Sequence, residues 1–255
     1  MTSTAVRTLA TDGFEIVPSV VATADITRLK KRLQRLIDED LTSGDLRRIQ
    51  DQWMVLNVML RDPEFMQLLV NPAVRAAVDR VLGATSILYA FVTSSMPPSG
   101  TNYSHRVHVD SQRVIPGYPT NVGVIVAFDD FTDENGATYF LPGSFERETP
   151  PTDEEFMEQA VRVHPRAGDA VIFNARTWHL GGRNVTGAPR HAVTMNYVRS
   201  YMRQHFDFPK MISEADAATF SPELRRVLGY NVRMPKSLEE YYVDPADRLY
   251  LPGQG

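Results

Sequence analysis

The sequence predicts a mainly β protein with flanking helices, whose core is a double-stranded β-helix of the jelly-roll, cupin-like type. The first observation is a series of eight short apolar or alternating segments, separated by turn-forming residues, in the middle of the chain. The second is helical periodicity on both sides of this series. The predicted strands span residues 86–93, 106–112, 121–128, 137–141, 161–164, 169–174, 179–184 and 190–199.

Helix signals come first along the chain. Apolar residues recur at three- and four-residue spacing over residues 25–40, with charged residues between them, which predicts an amphipathic helix. Asp62-Pro63 and Asn71-Pro72 each place a capping residue before a proline at the first helical position. They predict two further helices, the second of which ends at Gly83.

After the strands the chain returns to helix, with Ser221-Pro222 as the clearest start and Gly229 as the stop. The polar, acidic segment 143–160 is expected to form a long loop or short helix across the mouth of the barrel, either as a lid or as an ordinary surface excursion. With 255 residues and 43% hydrophobic composition, a single domain over residues 1–255 is expected. Its parts are a helical region of about 1–84, the jelly-roll core of about 85–200 and a helical segment of about 201–255.

Composition excludes several classes of protein. The chain has no cysteine, which rules out disulfides and thiolate metal sites. Its formal net charge is −4 and no basic stripe is present, so nucleic acid is not an expected partner. No stretch approaches 18 apolar residues, and residues 1–11 lack the apolar region of a signal peptide, so neither membrane insertion nor export is expected. A cytoplasmic location is the simplest expectation.

A possible metal site is indicated by His108-Val-Asp110 and His179. Side chains two apart on a strand point to the same face, so His108 and Asp110 are expected to lie together, and His179 ends another alternating apolar stretch. Two histidines and one carboxylate on one side of a metal form the facial triad typical of non-haem Fe(II) oxygenases. His-x-Asp alone is also compatible with a surface histidine beside a solvated aspartate, and the strand context favours the metal site.

Arg190 opens a further predicted strand, 11 residues after His179. On that strand Arg190, Ala192, Thr194 and Asn196 share one face. A charge at the start of a face of small polar side chains suits a pocket better than a packed core. The planar guanidinium can hold a carboxylate at two points, although a structural ion pair is the alternative.

Together these residues resemble the phytanoyl-CoA dioxygenase family. The most specific part is the stretch 126–144, with Glu134-Asn-Gly-Ala-Thr138 and Leu141-Pro-Gly-Ser144, combined with the His-Asp-His set and Arg190. The similarity covers most of the chain. Asp12-Gly-Phe-Glu-Ile-Val-Pro18, residues 57–83 and residues 220–230 also match it.

The resemblance implies an Fe(II)- and 2-oxoglutarate-dependent dioxygenase that hydroxylates an unactivated C–H bond of a small molecule, with release of succinate and CO2. It implies that His108, Asp110 and His179 hold Fe(II), that O2 is the second cosubstrate, and that Arg190 binds the remote carboxylate of 2-oxoglutarate. Thr138 corresponds to a position where the family often has a hydroxyl near the cosubstrate, or it is an ordinary strand threonine. Desaturation, epoxidation and cyclisation stay open as outcomes. Halogenation is disfavoured, because Asp110 fills the position that a halide would need.

Arg106 and Gln112 flank the expected ligands at strand spacing and are candidate substrate-binding residues. Arginine at position 106 departs from the family, in which glutamine is more familiar. A cation beside the metal needs a partner. Arg106 is therefore expected to meet the iron-bound end of 2-oxoglutarate, an anionic substrate group or an internal acidic residue.

Two other functions are compatible with such a barrel. One is a non-oxidative isomerase or hydrolase with Zn²⁺ or Mn²⁺ at the same residues. The other is a catalytically silent barrel that only binds a ligand. Arg190 and the 134–138 motif argue against the first, and an intact His-Asp-His set argues against the second.

Overall fold

The computed structural model describes residues 7–43 and 53–254. Within this part of the chain, no helix has the length and apolarity that a membrane-spanning helix requires. Nine α-helices are formed there, most of them short, and α1 is the longest. Their bounds are α1 Thr23–Thr42, α2 Val58–Arg61, α3 Met66–Leu69, α4 Pro72–Leu82, α5 Asp153–Gln159, α6 Phe208–Met211, α7 Glu214–Ala217, α8 Pro222–Val227 and α9 Leu238–Tyr241. Short 3-10 helices span Pro63–Phe65, Ser144–Glu146 and Pro245–Asp247.

The strands of the described residues form two antiparallel sheets. Their bounds are β1 Phe14–Val17, β2 Ile87–Thr93, β3 Asn121–Ala127, β4 Tyr139–Phe140, β5 Val161–Arg162, β6 Ala170–Asn174, β7 His179–Leu180 and β8 Ala192–Val198. The larger sheet has the order β1-β6-β3-β8-β2, and the smaller sheet has the order β5-β4-β7. This two-sheet architecture with flanking helices confirms the predicted jelly-roll core.

Alternation along the strands separates two apolar cores. In β3, Val122, Val124 and Val126 pack in the core beneath the helices, whereas Ile125 and Ala127 belong to a second core on the opposite face of the sheet. In β8, Met195 joins the helix core. The face predicted for Arg190 and Ala192 is therefore turned away from the helices, since Ala192 lies in the second core.

The helix predictions agree closely with the structure. Helix α1 buries the apolar stripe expected over residues 25–40. Asn71 caps α4 by accepting hydrogen bonds from Ala73 and Val74, and Gly83 follows the helix. Ser221 caps α8. Asp62-Pro63 begins only a 3-10 turn, which continues into the four-residue α3.

Two strand predictions differ from the structure. Residues 106–112 form no strand and make only a single bridge, between His108 and His179. The amides of Asp110 and Ser111 both donate to the Ala175 carbonyl, an arrangement that a regular ladder does not allow. Phe14–Val17, for which no strand was predicted, pairs with β6 at the edge of the larger sheet.

On the helix side of β8, the buried His191 is expected to make stability depend on pH. Its Nδ1 lies 3.1 Å from the Ser95 hydroxyl, and its backbone amide donates to Asp129, which also pairs with Lys30. Burial lowers the pKa of His191 from 6.5 to about 4, although Asp129 opposes the shift. Below pH 6.5 the unfolded chain therefore binds a proton that the folded chain excludes, so stability falls as the pH drops towards 4.

Replacing His191 with glutamine should remove a pH-dependent part of the unfolding free energy on the order of 3 kcal/mol. Urea denaturation of both proteins at several pH values between 7 and 4 measures it. Wild type should lose more stability than the variant across this window. An identical pH dependence in the two proteins would show that His191 does not contribute.

Candidate active site

His108, Asp110 and His179 converge at one point, as predicted. His108 and His179 exchange two backbone hydrogen bonds of 3.0 and 2.9 Å, and their rings lie 4.2 Å apart between centroids. Asp110 Oδ1 lies 3.5 Å from His108 Nε2 and 3.8 Å from His179 Nε2. One ligand atom from each residue lies within 4.8 Å of the others, and no other such group occurs in the part of the chain that the structure describes.

The two imidazoles are held in the tautomer that a metal needs. His108 Nδ1 lies 2.8 Å from the Arg106 carbonyl, and His179 Nδ1 lies 2.9 Å from the Thr177 carbonyl. Because a carbonyl only accepts, each Nδ1 must carry the hydrogen, which leaves the Nε2 lone pair free. The three residues thus offer two neutral imidazole nitrogens and a carboxylate, a donor set that suits Fe(II).

Burial differs across the three side chains. The side chain of His179 is 7% exposed, that of His108 16% and that of Asp110 27%, so the centre is reached from outside on the Asp110 side. Burial, followed by the neighbouring His108 ring, lowers the pKa of His179 to about 4. Burial opposes ionisation of Asp110, but the neighbouring imidazoles of His108 and His179 lower the pKa of Asp110 overall.

Aromatic packing fixes the ring of His179. Phe140 stacks on it at 5.4 Å, and Phe173 meets it edge-on at 5.1 Å. Phe173 in turn lies against Gly123 on the adjacent strand, where any side-chain carbon would stand only 2.1 Å from the phenyl ring. Sequence reasoning missed these three residues, although a glycine inside a strand is a signal of such a close approach.

The opposite face of the ligand segments is also packed. Val109 and Trp178, which alternate with the expected ligands, form a small core with Leu141 and Phe156. Phe156 belongs to α5, so the segment 143–160 does contain a short helix. This helix packs behind the ligand-bearing segments.

Arg190 is buried, with 2% of its surface exposed. Its two terminal nitrogens donate to the carbonyls of Gly136 and Ser94 at 2.9 and 2.6 Å, and the guanidinium lies 3.9 Å from the centroid of Phe131. Its Nε has no hydrogen-bond partner among the described residues. Burial lowers the pKa of Arg190 to about 9, although Asp129 raises it.

The Ser94 hydroxyl is a second buried group that lacks a partner among the described residues. The β2–β8 register pairs Thr93 with Val193, and the amide of Ser94 donates to the Ala192 carbonyl. Ser94 is therefore opposite Ala192, on the face that carries Arg190. Thr138 is also buried, two residues after Gly136.

Arg106 and Gln112 are exposed, and they do not share a strand face with the expected ligands. Arg106 lies at a bend and lines a cavity of about 860 Å³ together with Val107, Tyr139 and Leu180. Its carbonyl, rather than its guanidinium, contacts His108. The alternation that predicted both side chains beside the metal therefore depended on a strand that is not formed.

A larger cavity, of about 1180 Å³, is lined by α1 together with Phe128, Pro189 and His191. It contains none of the residues of the His-Asp-His group. Its size alone therefore does not mark the reactive centre.

Comparisons with known proteins agree with this geometry. An uncharacterised protein of Mycobacterium tuberculosis (strain ATCC 25618 / H37Rv) is 33% identical over 251 residues, covering 95% of this chain and 92% of the relative. The iron/alpha-ketoglutarate-dependent dioxygenase ausU of Aspergillus calidoustus is 27% identical over 250 residues, covering 88% of this chain and 80% of the relative. The crystal structure of HygX from Streptomyces hygroscopicus with nickel and 2-oxoglutarate bound has the same fold. Its TM-score is 0.60 at 17% identity, covering 77% of this chain and 86% of that one.

The family model described as phytanoyl-CoA dioxygenase matches residues 9–192, which include the His-Asp-His group and Arg190. The chain therefore belongs to the phytanoyl-CoA dioxygenase family of Fe(II)- and 2-oxoglutarate-dependent oxidoreductases.

Proposed function

We propose that this dioxygenase hydroxylates an unactivated C–H bond of a small molecule. The balance is R–H plus 2-oxoglutarate plus O2, giving R–OH, succinate and CO2. The observation that carries the proposal is the convergence of two correctly oriented imidazoles and a carboxylate, in a chain that also buries an arginine with an unpaired nitrogen. No observation favours a non-oxidative enzyme or a silent binding barrel over this function.

The metal would be held by His108 Nε2, His179 Nε2 and the carboxylate of Asp110. When bound there, Fe(II) supplies the O2-dependent oxidation chemistry. The protein keeps both Nε2 atoms deprotonated through the carbonyls of Arg106 and Thr177, and it keeps the His179 ring in place through Phe140 and Phe173.

The remote carboxylate of 2-oxoglutarate would be bound by Arg190. A buried guanidinium nitrogen without a partner is costly, and a bound anion would satisfy it. The hydroxyl of Ser94 has the same need on the same face of the sheet, and we assign it to this carboxylate as well. Thr138 is a further candidate, because it follows the Gly136 carbonyl that holds Arg190.

Replacing Ser94 with alanine should raise KM for 2-oxoglutarate by roughly tenfold, the effect of losing one hydrogen bond of about 1.5 kcal/mol to a charged group. Ser95 is the matched control. Its hydroxyl faces the other side of the sheet, where it bonds to His191. Succinate formation measured against 2-oxoglutarate concentration should show the change in Ser94→Ala alone. An equal KM in both variants would remove Ser94 from the cosubstrate site.

The primary substrate would approach from the Asp110 side, where the centre is exposed. Arg106 and Gln112 are exposed near the ligands along the chain, and we assign them to the rim of this entrance. Arg106 makes no ion pair within residues 7–43 and 53–254, and a cation at this entrance favours substrates with an anionic group such as a carboxylate. The relationship to dioxygenases that act on small molecules makes specialised metabolites, amino acids and acyl compounds the classes to screen.

Stimulated succinate release from a panel of such compounds identifies the substrate, and 18O2 then tests the reaction. Hydroxylation predicts that the product gains one 18O atom while the second 18O enters succinate. A product that has lost two hydrogens would instead establish desaturation or cyclisation, which NMR of the product distinguishes. A stereochemical change without added oxygen would establish epimerisation.

A further inference from the structure

The segment that carries Asp110 is attached to a single turn of the barrel. The amides of Asp110 and Ser111 both donate to the Ala175 carbonyl, at 2.8 and 3.0 Å. Ala175 lies in the turn between β6 and β7, the strand that begins with His179. One short turn therefore leads directly into one expected ligand, His179, and holds the backbone of another, Asp110.

Arg176 completes this attachment. Its side chain is buried, and one terminal nitrogen donates to the carbonyls of Ser111 and Gln112 at 3.2 and 3.4 Å. The other terminal nitrogen donates to the Arg147 carbonyl, in the segment that leads to α5. The guanidinium thus joins three backbone carbonyls on two different segments, and one of these segments directly follows Asp110.

Arg176 makes no close ion pair within residues 7–43 and 53–254, and its Nε lacks a hydrogen-bond partner there. Burial lowers the pKa of Arg176, and the charge of the more distant Glu148 only partly opposes this shift, so charge pairing alone does not explain the buried guanidinium. The buried side chain of Arg176 instead fixes the path of the chain through its hydrogen bonds to backbone carbonyls.

The rest of the turn is anchored as well. The Thr177 hydroxyl donates to the Gly13 carbonyl at 3.0 Å, and the Trp178 amide donates to the Ser144 hydroxyl at 3.0 Å. Movement of the turn relative to the barrel is therefore restrained on both sides. The position of residues 110–112 relative to His179 is set by the two amide bonds to Ala175 and, beyond them, by the attachment that Arg176 makes with its side chain.

We propose that Arg176 is a positioning residue that holds the Asp110 carboxylate at the metal-binding distance from His179. The inference rests on the metal site proposed above. Losing such an outer contact typically weakens metal binding by about 10- to 100-fold without removing a ligand. Arg176→Met should therefore lower the affinity for a divalent metal while the protein stays folded.

Arg199 provides a matched control. Its guanidinium also donates to three carbonyls, those of Pro119, Leu82 and Val81, at 2.9, 3.2 and 3.3 Å, but it touches no expected ligand. Arg199→Met removes the same kind of clamp from the end of β8. A loss of stability that occurs in both Arg176→Met and Arg199→Met can then be distinguished from a loss of metal affinity that occurs only in Arg176→Met.

Co(II) titration of the metal-free full-length proteins, followed by visible absorbance, is the test, with thermal melting run alongside. We expect about 10- to 100-fold weaker Co(II) binding in Arg176→Met and unchanged binding in Arg199→Met. Arg176→Lys, which keeps the charge but not the planar fork, should lie between wild type and Arg176→Met, and it serves if the methionine variant does not fold. Unchanged Co(II) affinity in the folded Arg176 variants, or equal losses in both methionine variants, would overturn the inference. Failure of wild type to bind Co(II) would instead overturn the metal site itself.

Discussion

Replacing His179 with alanine is expected to abolish metal binding and 2-oxoglutarate turnover together. A divalent ion bound by four protein ligands is worth about 10–16 kcal/mol, or about 2.5–4 kcal/mol per ligand, so one lost ligand weakens binding by roughly two to three orders of magnitude. The two ligands that would be left are His108 and Asp110, which are the more exposed members of the set. Elemental analysis of the purified variant, together with a succinate assay, measures both effects.

His164→Ala is the control for this experiment. His164 is an exposed histidine that pairs with Asp133, and it lies outside the His-Asp-His group. The His164→Ala protein should bind iron and form succinate as wild type does. Full iron occupancy and turnover in His179→Ala would remove His179 from the metal site.

The second large effect is expected from Arg190→Ala, which should raise KM for 2-oxoglutarate. The variant loses a charge-assisted contact with a largely desolvated carboxylate, which is worth roughly 2–4 kcal/mol, on the order of 30- to 1,000-fold. Saturation curves for 2-oxoglutarate measure the change. Turnover at saturating cosubstrate should fall less than KM rises, since Arg190 is not an expected metal ligand.

Arg190 also holds the carbonyls of Gly136 and Ser94, so thermal melting must accompany these kinetics. Added guanidinium ion should lower the raised KM of the folded alanine variant by occupying the space left by the side chain. Arg190→Lys should recover only part of the affinity, because an ammonium group lacks the planar fork. An unchanged KM in a folded Arg190→Ala protein would contradict the assignment.

The convergence of His108, Asp110 and His179 could be predicted from sequence, because it requires only local extended backbone and one strand end. His108 and Asp110 need only a few residues of extended backbone to share a face, and His179 ends a strongly alternating segment. The convergence is therefore present even though residues 106–112 form a single bridge instead of a strand. The prediction that Arg106 lies beside the metal required the strand alternation to extend two residues before His108. The chain bends at Arg106, so that alternation is not present there.

Other parts of the site depend on which distant strands pair and in which register, and this cannot be predicted from a single sequence. Ser94 meets the region of Arg190 only because β2 pairs with β8, whose residues are about a hundred positions away in the chain. The Gly136 carbonyl that holds Arg190 is a backbone group with no side-chain signature. Arg176 was recognisable only as one charge inside an apolar stretch, and the carbonyls that it holds belong to distant loops.

We expect this chain to oxidise 2-oxoglutarate with O2, and to require bound Fe(II) for the reaction. The most direct measurement is succinate formed by metal-free protein that has been reconstituted in parallel with Fe(II), Mn(II) or Zn(II), each with ascorbate and 2-oxoglutarate, under air and under nitrogen. We expect succinate only with Fe(II) in air, and a loss of that signal in His179→Ala. Absence of succinate with Fe(II) and every screened substrate, or equal succinate with Zn(II) or under nitrogen, would contradict it.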